Sequence, residues 1–286
     1  MEKTLLSIGH GFSARALADI LIPRGWHIIG TTRSTEKLDG IAATGVEPLV
    51  WPGSDLRDLI ADTPNVLLSA APGPDGDPVL AEVREAFVDA APRMRWAGYL
   101  STTGVYGDHQ GAWVDEDTSL HPATKRGHAR VKAEAAWQAI PDMPLHIFRL
   151  AGIYGPGRGP FAKVRKGTAR RIIKEGQVFS RIHVEDIAQA LDLSLAHPDP
   201  GAIYNLCDDD PAPPQDVIAH AAELLGVPLP PAVQFEEADM TPMARSFYAE
   251  SKKVRNDRIK DALGWQPKYP DYRTGLAAML AREGSS

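Results

Sequence analysis

The chain has 286 residues, 43% of them hydrophobic and 24% charged, the make-up of a folded globular protein rather than a disordered one. Its length suits a nucleotide-binding core with a smaller appended lobe. A formal net charge of −6 with no long Lys/Arg block argues against a nucleic-acid partner, and the single cysteine, Cys207, excludes an intrachain disulfide.

Thr4–Ile8 is a short apolar run that Gly9 interrupts at once, so it reads as a buried strand and not as a signal segment. No long apolar run occurs elsewhere, so a cytoplasmic protein without a membrane partner is expected. Gly9-His10-Gly11-Phe12-Ser13-Ala14 follows the strand and leads into a helical period over 14–23. A Gly-x-Gly-x-x-Ala turn between a first strand and a first helix is the dinucleotide-binding arrangement. Gly9 permits the tight turn, Gly11 lets backbone approach a pyrophosphate, and Ala14 lets the helix pack closely on the strand. The helix N-terminus faces the anion, and Gly9, Gly11, Phe12 and Ala14 are the cofactor-binding candidates of this turn.

The next strand, 27–31, ends in Thr31-Thr32-Arg33-Ser34. An NAD enzyme usually places Asp or Glu there for the ribose 2′-hydroxyl. Arg33 would instead hold a 2′-phosphate, with Thr32 and Ser34 adding donors, so NADP(H) is favoured over NAD(H). The plainer alternative is a solvated arginine at a strand end.

Helical stretches at 36–40, 55–61, 79–90 and 124–140 then alternate with strands at 46–51, 65–70, 97–103 and Leu145–Leu150. Strands alternating with helices predict an α/β fold, a Rossmann-like doubly wound parallel sheet. Residues 1–150 are assigned to the NAD(P)-binding core, with 181–206 returning to it. Residues 151–180 and 207–286 are assigned to a smaller C-terminal substrate lobe. Within 151–206, two apolar runs around Glu175-Gly176 read as a hairpin, Asp186 reads as the N-cap of a helix over 187–196, and 202–206 reads as a strand. The Pro-rich stretch 210–214 leads into a helix over 215–225. No His/Cys/Asp/Glu cluster has metal-ligand spacing.

Ser101-Thr102-Thr103-Gly104-Val105-Tyr106-Gly107, followed by Pro122 to Glu134, resembles the active-site strand and helix of the extended short-chain dehydrogenase/reductases, the NAD-dependent epimerase/dehydratase-like proteins. Arg149 to Gly157, Arg181 to Ala188 and Ile203-Tyr204-Asn205-Leu206 are similar to later blocks of that family. The resemblance implies an oxidoreductase or epimerase, in which Tyr moves a proton while hydride moves at the nicotinamide. Lys tunes that Tyr and binds the nicotinamide ribose, and Ser/Thr orients the substrate.

Aligned on Gly127 and Glu134, the chain has Arg126 where the family has Tyr and Arg130 where it has Lys. Thr102 matches the Ser/Thr position, and Asp77 lies near a family Asn. Arg126 cannot replace the Tyr, because a guanidinium stays protonated. Arg130 retains only the ribose-binding role. His128, two residues from Arg126, turns away from it and reads as a surface or packing histidine rather than a proton carrier.

The chain therefore resembles atypical members that keep the fold and lose the Tyr-x-x-x-Lys pair. Arg126, Arg130 and Glu134 at successive i, i+4 positions read either as a solvated ion-pair stripe or as a positive wall for an anion. Tyr106 and Tyr154 follow strand ends, where ligands bind; Tyr106 reads as structural. Arg158, Lys163, Arg165, Arg170 and Arg171 are candidates for an acidic group of the substrate, although each taken singly reads first as part of a solvated basic face. The expected partner is a small polar or anionic molecule, nucleotide-sugar-like in class, and a homodimer is common in that family. The alternative reading is a non-catalytic NADP(H)-binding sensor or scaffold.

Overall fold

The computed structural model describes residues 3–284. Its first half alternates strictly: β1 (Thr4–Ile8), α1 (Phe12–Leu21), β2 (His27–Thr32), α2 (Leu38–Ala42), β3 (Glu47–Val50), α3 (Arg57–Asp62), β4 (Asn65–Leu68), α4 (Pro78–Ala90) and β5 (Trp96–Thr102). A short β6 (Trp113–Val114) precedes α5 (Lys125–Gln138), β7 (Leu145–Leu150) and β8 (Gly152–Tyr154). There follow α6 (Phe161–Arg165), β9 (Arg171–Ile173), β10 (Arg181–His183), α7 (Val184–Ala196) and β11 (Ile203–Leu206). The C-terminal part holds α8 (Pro214–Leu224), β12 (Ala232–Gln234), α9 (Pro242–Phe247), β13 (Lys253–Val254), α10 (Asp257–Leu263) and α11 (Tyr272–Glu283).

The central sheet has seven parallel strands in the order β11-β7-β5-β4-β1-β2-β3. This is a Rossmann-like doubly wound sheet. Neighbouring residues on a strand face opposite sides, so both must be apolar when helices cover both faces. Leu5 and Leu67 pack with α1 and α7 on one face, whereas Leu6, Val66 and Leu68 pack with α4 and Trp137 of α5 on the other. A third core, around Tyr154, Phe161, Val217, Tyr272, Leu276 and Met279, joins α6, α8 and α11. Among the described residues no helix is long and apolar enough to cross a membrane, and no His/Cys/Asp/Glu group is placed to hold a metal.

Two expectations are corrected. The runs around Glu175-Gly176 do not form a hairpin. Gln177 N closes a turn on Lys174 O at 3.2 Å, but β9 pairs in parallel with β12, and Phe179 bridges to Ala212. The runs find partners far along the chain instead of each other.

Asp186 does not cap its helix. α7 begins two residues earlier and is capped by His183, whose Nδ1 accepts from Glu185 N at 3.2 Å. Asp186 is buried and accepts from Lys268 N at 2.6 Å and Tyr269 N at 3.2 Å, tying the C-terminal segment to the core. Its burial outweighs those bonds and pushes its pKa up to about 6.

Candidate functional site

A cleft of about 1000 Å³ opens at the carboxyl ends of the sheet strands, where ligands bind in doubly wound folds. At its floor β1 turns into α1. Gly9 has φ +86°, and a Cβ there would lie 2.8 Å from Ala70 N, so fold geometry demands the glycine. Gly9 N donates to Thr31 Oγ1 at 2.8 Å, and Ser69 Oγ donates to Gly9 O at 2.6 Å.

Gly11 is different. Its backbone is extended, and a Cβ would meet nothing nearer than Gly9 O at 3.7 Å. The space it leaves opens on the cleft, which Gly11, Phe12, Ser13 and Ala14 all line. No side chain caps α1, so its first-turn N–H groups face outward. Ala14 is buried in the core between α1 and the sheet. This cradle fits the pyrophosphate of a dinucleotide, with room at Gly11 and a helix N-terminus toward the negative charge.

At the end of β2, Arg33 is exposed and has no ion-pair partner among the described residues. Thr32 Oγ1 accepts from Ser34 N at 3.3 Å, which turns the chain there. No acidic side chain occurs from Thr31 to Thr35.

The opposite wall is the end of β5 with α5. Thr102 lines the cleft and its Oγ1 accepts from Gly104 N at 3.1 Å. Thr124 caps α5 by accepting from Gly127 N at 3.0 Å. Arg126 and Arg130, one turn apart, both line the cleft. Arg126 reaches α9, where its guanidinium lies 4.8 Å from the Phe247 ring centre and 3.4 Å from Ser246 Oγ. Arg130 Nη1 donates to Leu100 O at 2.6 Å and Tyr99 Oη at 3.0 Å, which holds it against β5.

Glu134 does not continue that stripe. It is buried, accepts from Arg149 Nη2 at 2.8 Å and Nε at 3.3 Å, and accepts from Ser101 Oγ at 2.5 Å. The reason is that Arg149 on β7 is equally buried, and the two charges satisfy each other inside. Burial disfavours the Arg149 cation, but Glu134 outweighs it and raises its pKa above the ordinary value. Arg149 Nη1 also donates to Tyr106 Oη at 3.0 Å, and Tyr106 donates to Asn205 Oδ1 at 2.7 Å. Burial pushes the Tyr106 pKa up to about 12, and the side chain ties β5 to β11. Asp77 accepts from Val79 N and Leu80 N at the start of α4 and from Trp137 Nε1 at 3.0 Å. His128 is exposed.

Of the five basic candidates from Arg158 to Arg171 only Arg158 lines the cleft, stacked 5.7 Å over the Phe12 ring at the start of α1. Arg165 pairs with Glu283, Arg170 bonds the carbonyls of Gly167 and Ala169, Arg171 bonds Pro230 O, and Lys163 lies on the surface. None of these four lines the cleft, which leaves the solvated basic face as their reading. Tyr154 lines the cleft with its ring against His183, at 5.1 Å between centres. Burial pushes the Tyr154 pKa up and pushes His183 down to about 4.

Three charged cleft residues escape a reading of the sequence as site residues. Arg181 is half-buried, and its Nη1 donates to Phe179 O and Ala212 O at 2.8 and 3.0 Å. Burial lowers its pKa, with buried Asp208 opposing. Glu250 and Lys252 come from the segment between α9 and β13 and form an ion pair at 2.6 Å. The signal was present: charges two apart in an extended segment share one side. Among the described residues the cleft is lined by Arg126, Arg130, Arg158, Arg181 and Lys252, against the one carboxylate of Glu250. A strongly positive cleft in a chain of net charge −6 suits an anionic ligand.

A model of the NAD dependent epimerase/dehydratase family matches residues 8–207. Protein YeeZ of Escherichia coli (strain K12) is 30% identical over 283 residues, covering 94% of this chain and 97% of YeeZ. A 3-diazoavenalumate denitrifying reductase from Streptomyces sp is 29% identical over 233 residues, covering 77% of this chain and 64% of that protein. The solved structure of a functionally unknown conserved protein from Silicibacter pomeroyi DSS is 62% identical, with a TM-score of 0.94 over 98% of this chain and 99% of that one. The chain belongs to the NAD-dependent epimerase/dehydratase family.

Proposed function

We propose that this member of the epimerase/dehydratase family is an NADP(H)-dependent oxidoreductase or epimerase of the atypical type, acting on a small anionic substrate. The observation that carries the reading is the cleft itself, where the α1 cradle, Thr102 and five cations converge around one carboxylate. The reductase among the relatives points the same way.

Gly9, Gly11, Phe12 and Ala14 hold the pyrophosphate, and Arg33, with Thr32 and Ser34, takes the 2′-phosphate. When bound, the nicotinamide supplies hydride to a carbonyl carbon or removes it. Arg130, fixed to β5, offers its remaining donors to the ribose hydroxyls. Thr102 orients the substrate oxygen, while Arg126 and Arg181 attract its negative group. Neither arginine releases a proton near neutrality. A second reading follows from that: Arg126 stands at the proton donor's position, engaged with α9, as a non-catalytic NADP(H) sensor or scaffold would permit.

Fluorescence titration with NADPH and NADH tests the cofactor. NADPH is expected to bind the more tightly. Arg33→Ala should weaken NADPH by roughly tenfold to a hundredfold and leave NADH unchanged, the effect of losing charge-assisted bonds worth about 1.5–3 kcal/mol. Equal affinity for both cofactors in the native protein removes Arg33 from the reading, and binding of neither removes the oxidoreductase. Bound NADPH that no carbonyl probe oxidises favours the sensor.

A further inference from the structure

With Arg126 and Arg130 where the family has Tyr and Lys, α5 brings no proton donor to the cleft, and the tyrosines that line it, Tyr154, Tyr248 and Tyr272, come from other elements. We propose that Lys252 is the group that delivers the proton to the substrate oxygen, with Glu250 as its fixed counter-ion; the inference rests on the oxidoreductase reading above. Lys252 is the only lysine lining the cleft among the described residues, and it is 9% exposed. Its ammonium donates to Gly107 O at 2.8 Å and Glu250 Oε2 at 2.6 Å. An ammonium has three N–H bonds, so one is left uncommitted.

Gly107 belongs to the loop that continues from β5 past Thr102. A Cβ on it would lie 1.8 Å from His121 O, so this loop is pressed against the lead-in to α5. Lys252 is thereby tied to the loop that leaves β5 and lines the same cleft as Thr102 and Arg126. Glu250 is held in turn by its own backbone, since Gln177 Nε2 donates to Glu250 O at 2.7 Å. Its Oε1 is buried with no hydrogen-bond partner.

In the reducing direction a bound NADPH would supply hydride to a carbonyl carbon, and the carbonyl π pair would collect on oxygen. One Nζ–H bond of Lys252 breaks, its pair stays on nitrogen, and the new O–H bond completes the alcohol. The neutral amine regains a proton from water. Lysine suits this work because its ammonium, unlike a guanidinium, can lose a proton.

The experiment compares native protein, Lys252→Met and Lys252→Arg by thermal melting, NADPH fluorescence titration and NADPH consumption with 9,10-phenanthrenequinone and a panel of 2-oxo acids. Arginine keeps the cation and the donors to Gly107 and Glu250 but does not release a proton. Lys252→Arg is expected to melt and bind NADPH as the native protein does, and to lose turnover by a hundredfold or more, as general acids usually cost. Native-like turnover in Lys252→Arg overturns the proposal and leaves the cofactor reading intact. Turnover by the native protein on none of the probes overturns it together with the enzyme reading. Failure to bind NADPH overturns the cofactor reading first.

Discussion

His10 occupies the variable position between the two glycines of the α1 turn, and it points inward. Its Nδ1 lies 3.1 Å from Ser7 Oγ, its Nε2 is buried without a partner, and a Cβ on neighbouring Gly30 would come within 2.8 Å of the ring. Burial, helped by the charge of Arg15, pushes its pKa down to about 4 from an ordinary 6.5. Between those values the unfolded chain binds the proton and the folded one does not, so stability is full above pH 6.5 and is lost as pH falls toward 4. The largest loss is roughly 3 kcal/mol. His183 titrates in the same sense and Asp186 in the opposite one, so the His10 share is isolated by difference. Urea unfolding of native protein and His10→Asn at pH 7.5 and 4.5 should show the variant losing less on acidification, by on the order of 2 kcal/mol. Parallel losses in both proteins would remove His10 as the source. Such inward residues are hard to read in a sequence. Glu134 looks like one more charge on a helix stripe until Arg149, fifteen positions on, is seen to meet it inside.

Elements were legible in proportion to how local their cause is. The strands of the first half are apolar at consecutive positions because both faces are covered, and that pattern survives in the sequence. The pairing of β9 is not legible because its partner, β12, lies some sixty residues away and nothing local announces it. The glycine turn was legible because its spacing is itself the mechanism, whereas the walls of the cleft depend on tertiary packing. α5 illustrates the point. Gly127 looks like a weakness in a helix, yet a Cβ there would lie 2.7 Å from Gly104 O and 2.8 Å from Pro122 Cβ. The missing side chain lets α5 seat directly on the end of β5 and sets where Arg126 and Arg130 enter the cleft. Gly→Ala in a free helix stabilises by about 1 kcal/mol. Here the clash with a backbone carbonyl wins, and Gly127→Ala should destabilise by about 1–3 kcal/mol in denaturant unfolding. A stabilised variant would mean that α5 can move off β5 at little cost.

At the scale of the molecule the question is whether the C-terminal lobe stands apart. The sequence assigns 207–286 to that lobe, with turn-rich character its main signal. Its core, around Tyr154, Val217, Tyr272 and Leu276, is separate from the two that sandwich the sheet. Yet Val254, Ile259 and Trp265 from the same stretch pack in the core beneath the sheet, with Ile187 and Leu206. Trp265 is fully buried and donates to Asp186 O at 3.2 Å, beside the two bonds that Asp186 accepts from Lys268 and Tyr269. The segment from β13 to α11 is thereby fastened to α7, the helix that itself packs along α1. We expect the two parts to unfold together, since neither core can open without exposing residues of the other. Calorimetry of the native protein should give one transition whose van't Hoff and calorimetric enthalpies agree. Trp265→Ala should move that single transition as a whole, by a loss of about 3–5 kcal/mol. Two transitions, with only the lower one shifted by the substitution, would show a lobe that folds on its own. The cleft would then be a seam between independent bodies, and Lys252 and Glu250 would reach the β5 wall only when those bodies are docked.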